Sequence, residues 1–318
     1  MIRLQSYTLF ECFTACDILQ NKSYETIPLT QARSAFTGTR ITLRQVSPES
    51  EAIFDFIIEL YKAFNGDWAA AQKKAGISDD DLKHFLEYSA MFLGNCGNYK
   101  GFGDAKFVPR CDEKAFAALA ATSPKAESHY KLTGGAIFSS NNSGLMHLGF
   151  LDEGHITTYY PDSEGITQAE ISAVSEWMRE QKLLPENTRL RKTTDGVFEL
   201  LIASAVTSVP AEGGDIGKKT VFDIESGPLK ASQIKLVYGD YSKEMITIAQ
   251  YHKKAAENSA NDNQKQMQLA YAQSFESGSL EAYKNSQRFW IRDKGPMVES
   301  NIGFVETYRD PHGVRGEW

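Results

Sequence analysis

No run of the chain approaches the roughly 18 apolar residues needed to cross a bilayer, so no membrane partner is expected. Basic residues are in the minority. The 34 Lys and Arg stand against 41 Asp and Glu, a formal charge of -7. Nucleic acid is not an expected partner either, because phosphates are met by a basic patch. The acidic run Asp79-Asp80-Asp81 falls where a helix should begin, where carboxylates suit the helix dipole. Cysteine is sparse, at Cys12, Cys16, Cys96 and Cys111. Cys12 and Cys16 could lie one helical turn apart, but the nearest histidine in sequence is His84, so nothing completes a zinc set there. Glu11 and Asp17 interrupt the patchily apolar start, where a secretory signal needs an unbroken core. Free thiols and the missing signal lead to the expectation of a cytoplasmic protein.

Complete catalytic sets are missing as well. There is no His-Glu-x-x-His, and the histidines (His84, His129, His147, His155, His252 and His312) are scattered. Gly101-Phe102-Gly103-Asp104 lacks the Gly-Lys-Ser/Thr ending of a phosphate-binding loop, and there is no Gly-x-Ser-x-Gly elbow. On chemistry alone the chain looks incomplete.

What is present is a soluble composition, 42% hydrophobic and 24% charged, over 318 residues. Ser47-Pro48 should open a helix carrying Ile53, Phe54, Ile57, Ile58, Tyr61 and Phe64 on one stripe, ended by Asn65-Gly66. Asp67 should cap a short helix that Gly76 stops, and Ser78 should start a third. Residues 146–150 and 155–160 read as strands. Thr167 and Glu170 form a capping box. Residues 188–193 and 197–206 flank Asp195-Gly196, a hairpin signal. Residues 221–224 and 234–238 add two short strands. Helices then return: Asp240 should cap one, and Gln264, Met267, Tyr271 and Phe275 share a face of another. A third begins at Gly278-Ser279. The fold class is α+β, with helices packed around a small mostly antiparallel sheet or open barrel. Residues 210–219, with Glu212-Gly213-Gly214-Asp215, are the best candidate for a mobile loop.

Two segments stand out. The stretch from Asn95 through Asp104 is dense in Gly and Asn, which suits a tight loop with left-handed backbone positions. Residues 299–317 read E-S-N-I-G-F-V-E-T-Y-R-D-P-H-G-V-R-G-E. At strand period this places Glu306 and Tyr308 on one face. A surface cross-strand pair is one reading of that carboxylate and phenol, and a peptide-binding edge is another. Two residues of extended strand span roughly 6.6 Å. A peptide lying along the strand by β-augmentation would put its amine at Glu306 and its second carbonyl near Tyr308. That spacing measures a dipeptide.

Asn98-Tyr99-Lys100-Gly101-Phe102-Gly103-Asp104-Ala105-Lys106-Phe107-Val108-Pro109 resembles the N-Y-K-x-F-G-D-x-K-F-x-P stretch of the dipeptidyl peptidase III family. Phe289-Trp290-Ile291-Arg292-Asp293-Lys294-Gly295-Pro296 and Ile302-Gly303-Phe304-Val305-Glu306-Thr307-Tyr308-Arg309-Asp310-Pro311 resemble that family's F-W-I-x-D-K-G-P and I-G-F-I-E-[ST]-Y-R-[DE]-P stretches. Weaker similarity runs through residues 154–160 and 187–190 and reaches back to Gly38-Thr39-Arg40-Ile41.

The resemblance implies a zinc metallopeptidase that releases dipeptides from the N-terminus of short peptides. It implies two lobes around a cleft, this chain being most of the substrate-binding (lower) lobe, with a five-stranded barrel-like core. By matched position, Glu306 would anchor the substrate amine and Tyr308 would donate to the scissile carbonyl, as the catalytic residue. Thr307 and Phe102 would line the cleft, and Glu317 would stand at its substrate-side wall. Zn2+ is implied for the family, on a His-Glu-x-x-x-His helix and a later glutamate that this sequence does not contain, so no metal is expected on this chain. Residues 1–30 do not resemble the family's start, and residues 31–318 would be an incomplete substrate lobe. A C-terminal zinc lobe would pack against it. A truncated chain, inactive alone, is therefore the expectation. A non-catalytic peptide-binding module and a non-functional truncated product remain as alternatives.

Overall fold

Short polar residues set where the helices begin. The computed structural model describes residues 40, 43–44, 46–100, 105–139, 147–163, 165–225, 227–296, 299–306 and 315–317. The chain divides into two compact units, with the boundary in sequence between Thr158 and Tyr159.

In the first unit α1 spans Ser50–Phe64, α2 Trp68–Ala75, α3 Asp79–Asn95, α4 Glu113–Ala120 and α5 Pro124–Phe138. Asp67 caps α2 by accepting the Ala70 amide at 3.0 Å, and Ser78 and Asp81 form a reciprocal capping box on α3. Asn65 and Gly76 end their helices in the left-handed region, as their sequence positions predict. The start of α1 falls later than expected. Pro48 and Glu49 form a turn, and the Ser47 hydroxyl bonds that of Ser50 at 2.7 Å instead of capping an amide. Phe56, Phe85 and Phe116 are fully buried. Phe85 meets Phe116 edge to face at 5.1 Å, and Tyr88 meets Phe116 at 5.6 Å. Such pairs add about 0.5–1.5 kcal/mol each beyond their area burial.

In the second unit α6 (Gln168–Glu180) begins at the predicted capping box. There Glu170 Oε2 accepts the Thr167 amide at 2.9 Å and Thr167 Oγ1 accepts the Glu170 amide at 3.3 Å. Four strands follow: β1 (Thr188–Lys192), β2 (Phe198–Ala203), β3 (Val221–Asp223) and β4 (Gln233–Asp240). Their order is β1-β2-β4-β3, and the sheet is open. The β1–β2 and β3–β4 pairs are antiparallel, while β2 and β4 run parallel. The sheet is thus mostly antiparallel, with a parallel centre that local sequence could not show. β2 lies at the middle, and Phe198, Leu200, Leu201 and Ile202 are all buried. Its one acid, Glu199, sits between Arg191 and Lys235 on the neighbouring strands. It accepts from Arg191 Nε at 2.9 Å and Lys235 Nζ at 3.2 Å. Burial opposes the charge, but these two cations outweigh it and hold Glu199 below the usual carboxylate range.

Two expectations need correction. Residues 147–160 form no strand: Ala105 bridges His147 and Leu148 bridges Ile156 around a 3-10 turn at Leu151–Glu153, and Met146 lies outside the described residues. Asp240 does not cap the next helix, because its carboxylate is taken by Arg189 at 2.7 and 2.6 Å. That helix, α7 (Ser242–Glu257), starts instead behind a left-handed Tyr241. α8 (Asp262–Ser277) and α9 (Leu280–Trp290) complete the unit with a two-stranded ribbon, β5 (Gly303–Glu306) and β6 (Arg315–Glu317). The 210–219 loop is tied down: Asp215 accepts the Ser279 hydroxyl at 2.6 Å and the Leu280 amide at 2.8 Å. Among the described residues no helix is long and apolar enough to cross a membrane.

Candidate functional site

The strand expected near the C-terminus is present. β5 pairs with β6 antiparallel, Gly303 opposite Glu317 and Glu306 opposite Arg315. Two residues of β5 face one of β6 between those pairs, a bulge of the kind that re-aims a strand. The ribbon thus carries two of the expected site positions, Glu306 and Glu317, at opposite ends of its register. Thr307, Tyr308 and Phe102 lie outside the described residues. In the backbone register, Arg315 is the position opposite Glu306.

What holds β5 in place is visible from Asn301 onward. Tyr271 of α8 is 1% exposed, and its hydroxyl donates to Asn301 Oδ1 at 2.9 Å and accepts the Ile302 amide at 3.0 Å. Gln287 Nε2 of α9 donates to the same hydroxyl at 2.9 Å and reaches the Ile302 carbonyl at 3.3 Å. Burial raises the Tyr271 phenol pKa, against the bonds from Ile302, Ser286 and Gln287. The helical spacing of Gln264, Met267, Tyr271 and Phe275 marks only a shared helix face. The partners of the hydroxyl lie 16 to 31 residues away, so no local signal announces them.

In the first unit the stretch around Asn98 forms a small hairpin base. Lys100 donates to the Ala105 carbonyl at 2.9 Å and Phe107 to the Asn98 carbonyl at 3.0 Å, with Tyr99 bridged to Lys106. Sequence alone left this as a tight loop. Lys106 is buried, and its ammonium donates to the Ser139 carbonyl and hydroxyl, each at 3.1 Å, and to the Ala136 carbonyl. Burial lowers its pKa, and the Glu49 charge works the other way. Burial likewise lifts the Glu49 carboxyl, against hydrogen bonds from its own backbone and Ser47 and the charge of Lys106.

A zinc centre needs three or four His, Cys, Asp or Glu ligands converging on one point. Among the described residues no three such side chains come together. The His147 and His155 rings lie tilted with centroids 5.6 Å apart and Glu153 Oε2 is 3.3 Å from His155 Nδ1, but these three do not converge on one metal position.

The chain is 38% identical over 282 residues to dipeptidyl peptidase 3 of Dictyostelium discoideum, covering 88% of this chain and 38% of that protein. It is 36% identical over 298 residues to the human protein of the same name, covering 90% of this chain and 40% of that one. Dipeptidyl peptidase 3 of Nematostella vectensis is 32% identical over 305 residues. The chain thus spans about 40% of the length of the curated relatives it matches. The model of peptidase family M49 matches residues 129–318, which include the ribbon and the three helices that precede it. With that match and these relatives, the chain belongs to peptidase family M49, the dipeptidyl peptidase III family.

Proposed function

We propose that this chain is the substrate-binding part of a cytoplasmic zinc dipeptidyl peptidase. It would hold the free N-terminus of a short peptide so that its second peptide bond is the one cleaved. Residues 31–318 are the substrate lobe in this reading, and a zinc lobe packs against them. The observation that carries it is Glu306 on the extended strand β5, in a family whose relatives are named for dipeptide release. Glu306 receives the substrate ammonium. Tyr308, two residues on, donates to the carbonyl under attack. Thr307 and Phe102 contact the peptide, and Glu317 of β6 supplies negative charge on the same ribbon. In this reading binding and orientation are what this chain contributes, and the 318 residues alone are expected not to cleave.

The test is calorimetric titration of the chain with a free tripeptide and its N-acetylated twin. A charge-assisted bond contributes about 1.5–3 kcal/mol, roughly 10- to 100-fold in Kd. The free peptide should bind tighter by about that factor, and Glu306→Gln should abolish the difference. Equal affinity for both peptides in the wild type would remove the anchor role. If Glu306 only pairs with Arg315, Glu306→Gln should lower stability by a few tenths to about 1 kcal/mol and leave peptide preference untouched.

A further inference from the structure

We infer that Tyr271, together with Gln287, is a positioning residue for peptide recognition: it fixes the start of β5 and thereby the placement of Glu306. The inference rests on the anchor reading of Glu306 given above. A phenol can donate one hydrogen bond and accept two. Here all three are used. The single proton goes to Asn301 Oδ1 at 2.9 Å, with the Ile302 carbonyl a longer second acceptor at 3.3 Å, and the two lone pairs take the Ile302 amide at 3.0 Å and Gln287 Nε2 at 2.9 Å. Two of these three partners belong to the segment that enters β5, and Ile302 is four residues before Glu306.

The brace is rigid from behind. Tyr271 is 1% exposed, and its ring lies 5.3 Å from that of His252 on α7. His252 in turn stacks on Phe275 at 5.5 Å with the planes 10° apart, and its Nδ1 sits 2.6 Å from Gln268 Oε1. Gln287 holds both sides of the contact at once, donating to the Tyr271 hydroxyl and, at 3.3 Å, to the Ile302 carbonyl. A simple packing role for Tyr271 needs the ring alone. The saturated hydroxyl is what ties a two-stranded ribbon, too small to be stable by itself, to the α8–α9 helix pair. A site that must hold its groups within about half an ångström needs such support.

Tyr271→Phe keeps the ring and removes the three bonds. Two measurements on the 318-residue chain decide. Hydrogen exchange of residues 301–306 should rise tenfold or more in Tyr271→Phe while α7 and α8 exchange as in the wild type. The preference for a free tripeptide over its N-acetylated twin should fall at least threefold. Unchanged exchange in 301–306, or faster exchange throughout α7, α8 and α9, overturns the inference, because the hydroxyl is then either idle or purely structural. A preference lost in Glu306→Gln but kept in Tyr271→Phe overturns this inference and leaves the anchor reading standing. A wild type that shows no preference removes the anchor reading, and this inference with it. If Tyr271→Phe does not fold, Gln287→Met, which removes the Gln287 donor and leaves Tyr271 in place, is scored by the same two measurements.

Discussion

His252 Nδ1 lies 2.6 Å from Gln268 Oε1 across the α7–α8 interface. An amide oxygen only accepts, so Nδ1 carries the proton and Nε2 is the bare nitrogen. Nε2 has no hydrogen-bond partner among the described residues. Burial pushes the imidazole from the ordinary 6.5 down to about 4, with the Gln268 bond acting against the shift. The folded protein therefore keeps His252 neutral where the unfolded chain would protonate it.

The sign follows directly. Above pH 6.5 neither state binds the proton, and stability is unaffected. As pH falls from 6.5 toward 4 the unfolded state gains a proton and the folded state does not, so stability is lost across that window. Each unit is about 1.4 kcal/mol. Between pH 7 and 4.5 the wild type should lose roughly 2–3 kcal/mol more than His252→Gln, which does not titrate there. Urea denaturation at the two pH values reads the difference. Equal losses in the two proteins would mean that His252 is hydrated in solution.

Asp215 joins a loop to the start of α9, with both carboxylate oxygens used on Ser279 and Leu280. Asp215→Ala should lower stability by about 1 kcal/mol, in the range of a lost helix cap. It should also make residues 210–219 the first site of limited proteolysis. A loop cleaved equally fast in both proteins would show that the clamp does not hold in solution.

Gly278 and Gly76 separate two costs. Both end helices in the left-handed region, at φ +74 and +69. A Cβ at Gly76 would meet nothing within 4 Å, whereas at Gly278 it would lie 2.7 Å from Ile202 Cγ2 and 3.1 Å from Ser204 Cβ. Gly76→Ala should cost about 1–2 kcal/mol for the backbone alone. Gly278→Ala adds overpacking against β2, for a total on the order of 2–5 kcal/mol. Thermal melts of the two variants give the comparison, and equal shifts would mean that β2 yields freely.

The boundaries of these elements were legible wherever the signal is local. The Asp195-Gly196 turn, the Thr167–Glu170 box, the Ser78 cap and the Asn65 and Gly76 stops all act within five residues of themselves. Asp240 misled for the opposite reason: its partner, Arg189, is 51 residues away. The parallel pairing of β2 with β4 and the brace on Ile302 were invisible on the same ground. For the site, sequence placed Glu306 on a strand through period-two alternation, and resemblance supplied its role. Neither could show that a buried phenol on α8 holds that strand.

Tyr308 gives the sharpest test of the proposed function. If a peptide lies along this strand with its amine at Glu306, a group two residues further on faces the second carbonyl, roughly 6.6 Å away. Negative charge grows on that oxygen as the bond is attacked, so a hydroxyl donor there stabilises the transition state more than the ground state. Its loss should then appear in kcat more than in KM. Removing one such donor typically costs on the order of 10²–10³ in kcat. The measurement needs this strand within an active dipeptidyl peptidase. Tyr308→Phe keeps the ring and removes only the hydroxyl, so the melting temperature should hold while kcat collapses. If Tyr308 is a packing residue instead, Tyr308→Phe should leave kcat within about threefold, and Tyr308→Ala should cost ~3 kcal/mol or more of stability, as large-to-small changes in a core do. Turnover and melting temperature of both variants distinguish the cases, because a catalytic hydroxyl and a buried ring fail in opposite measurements.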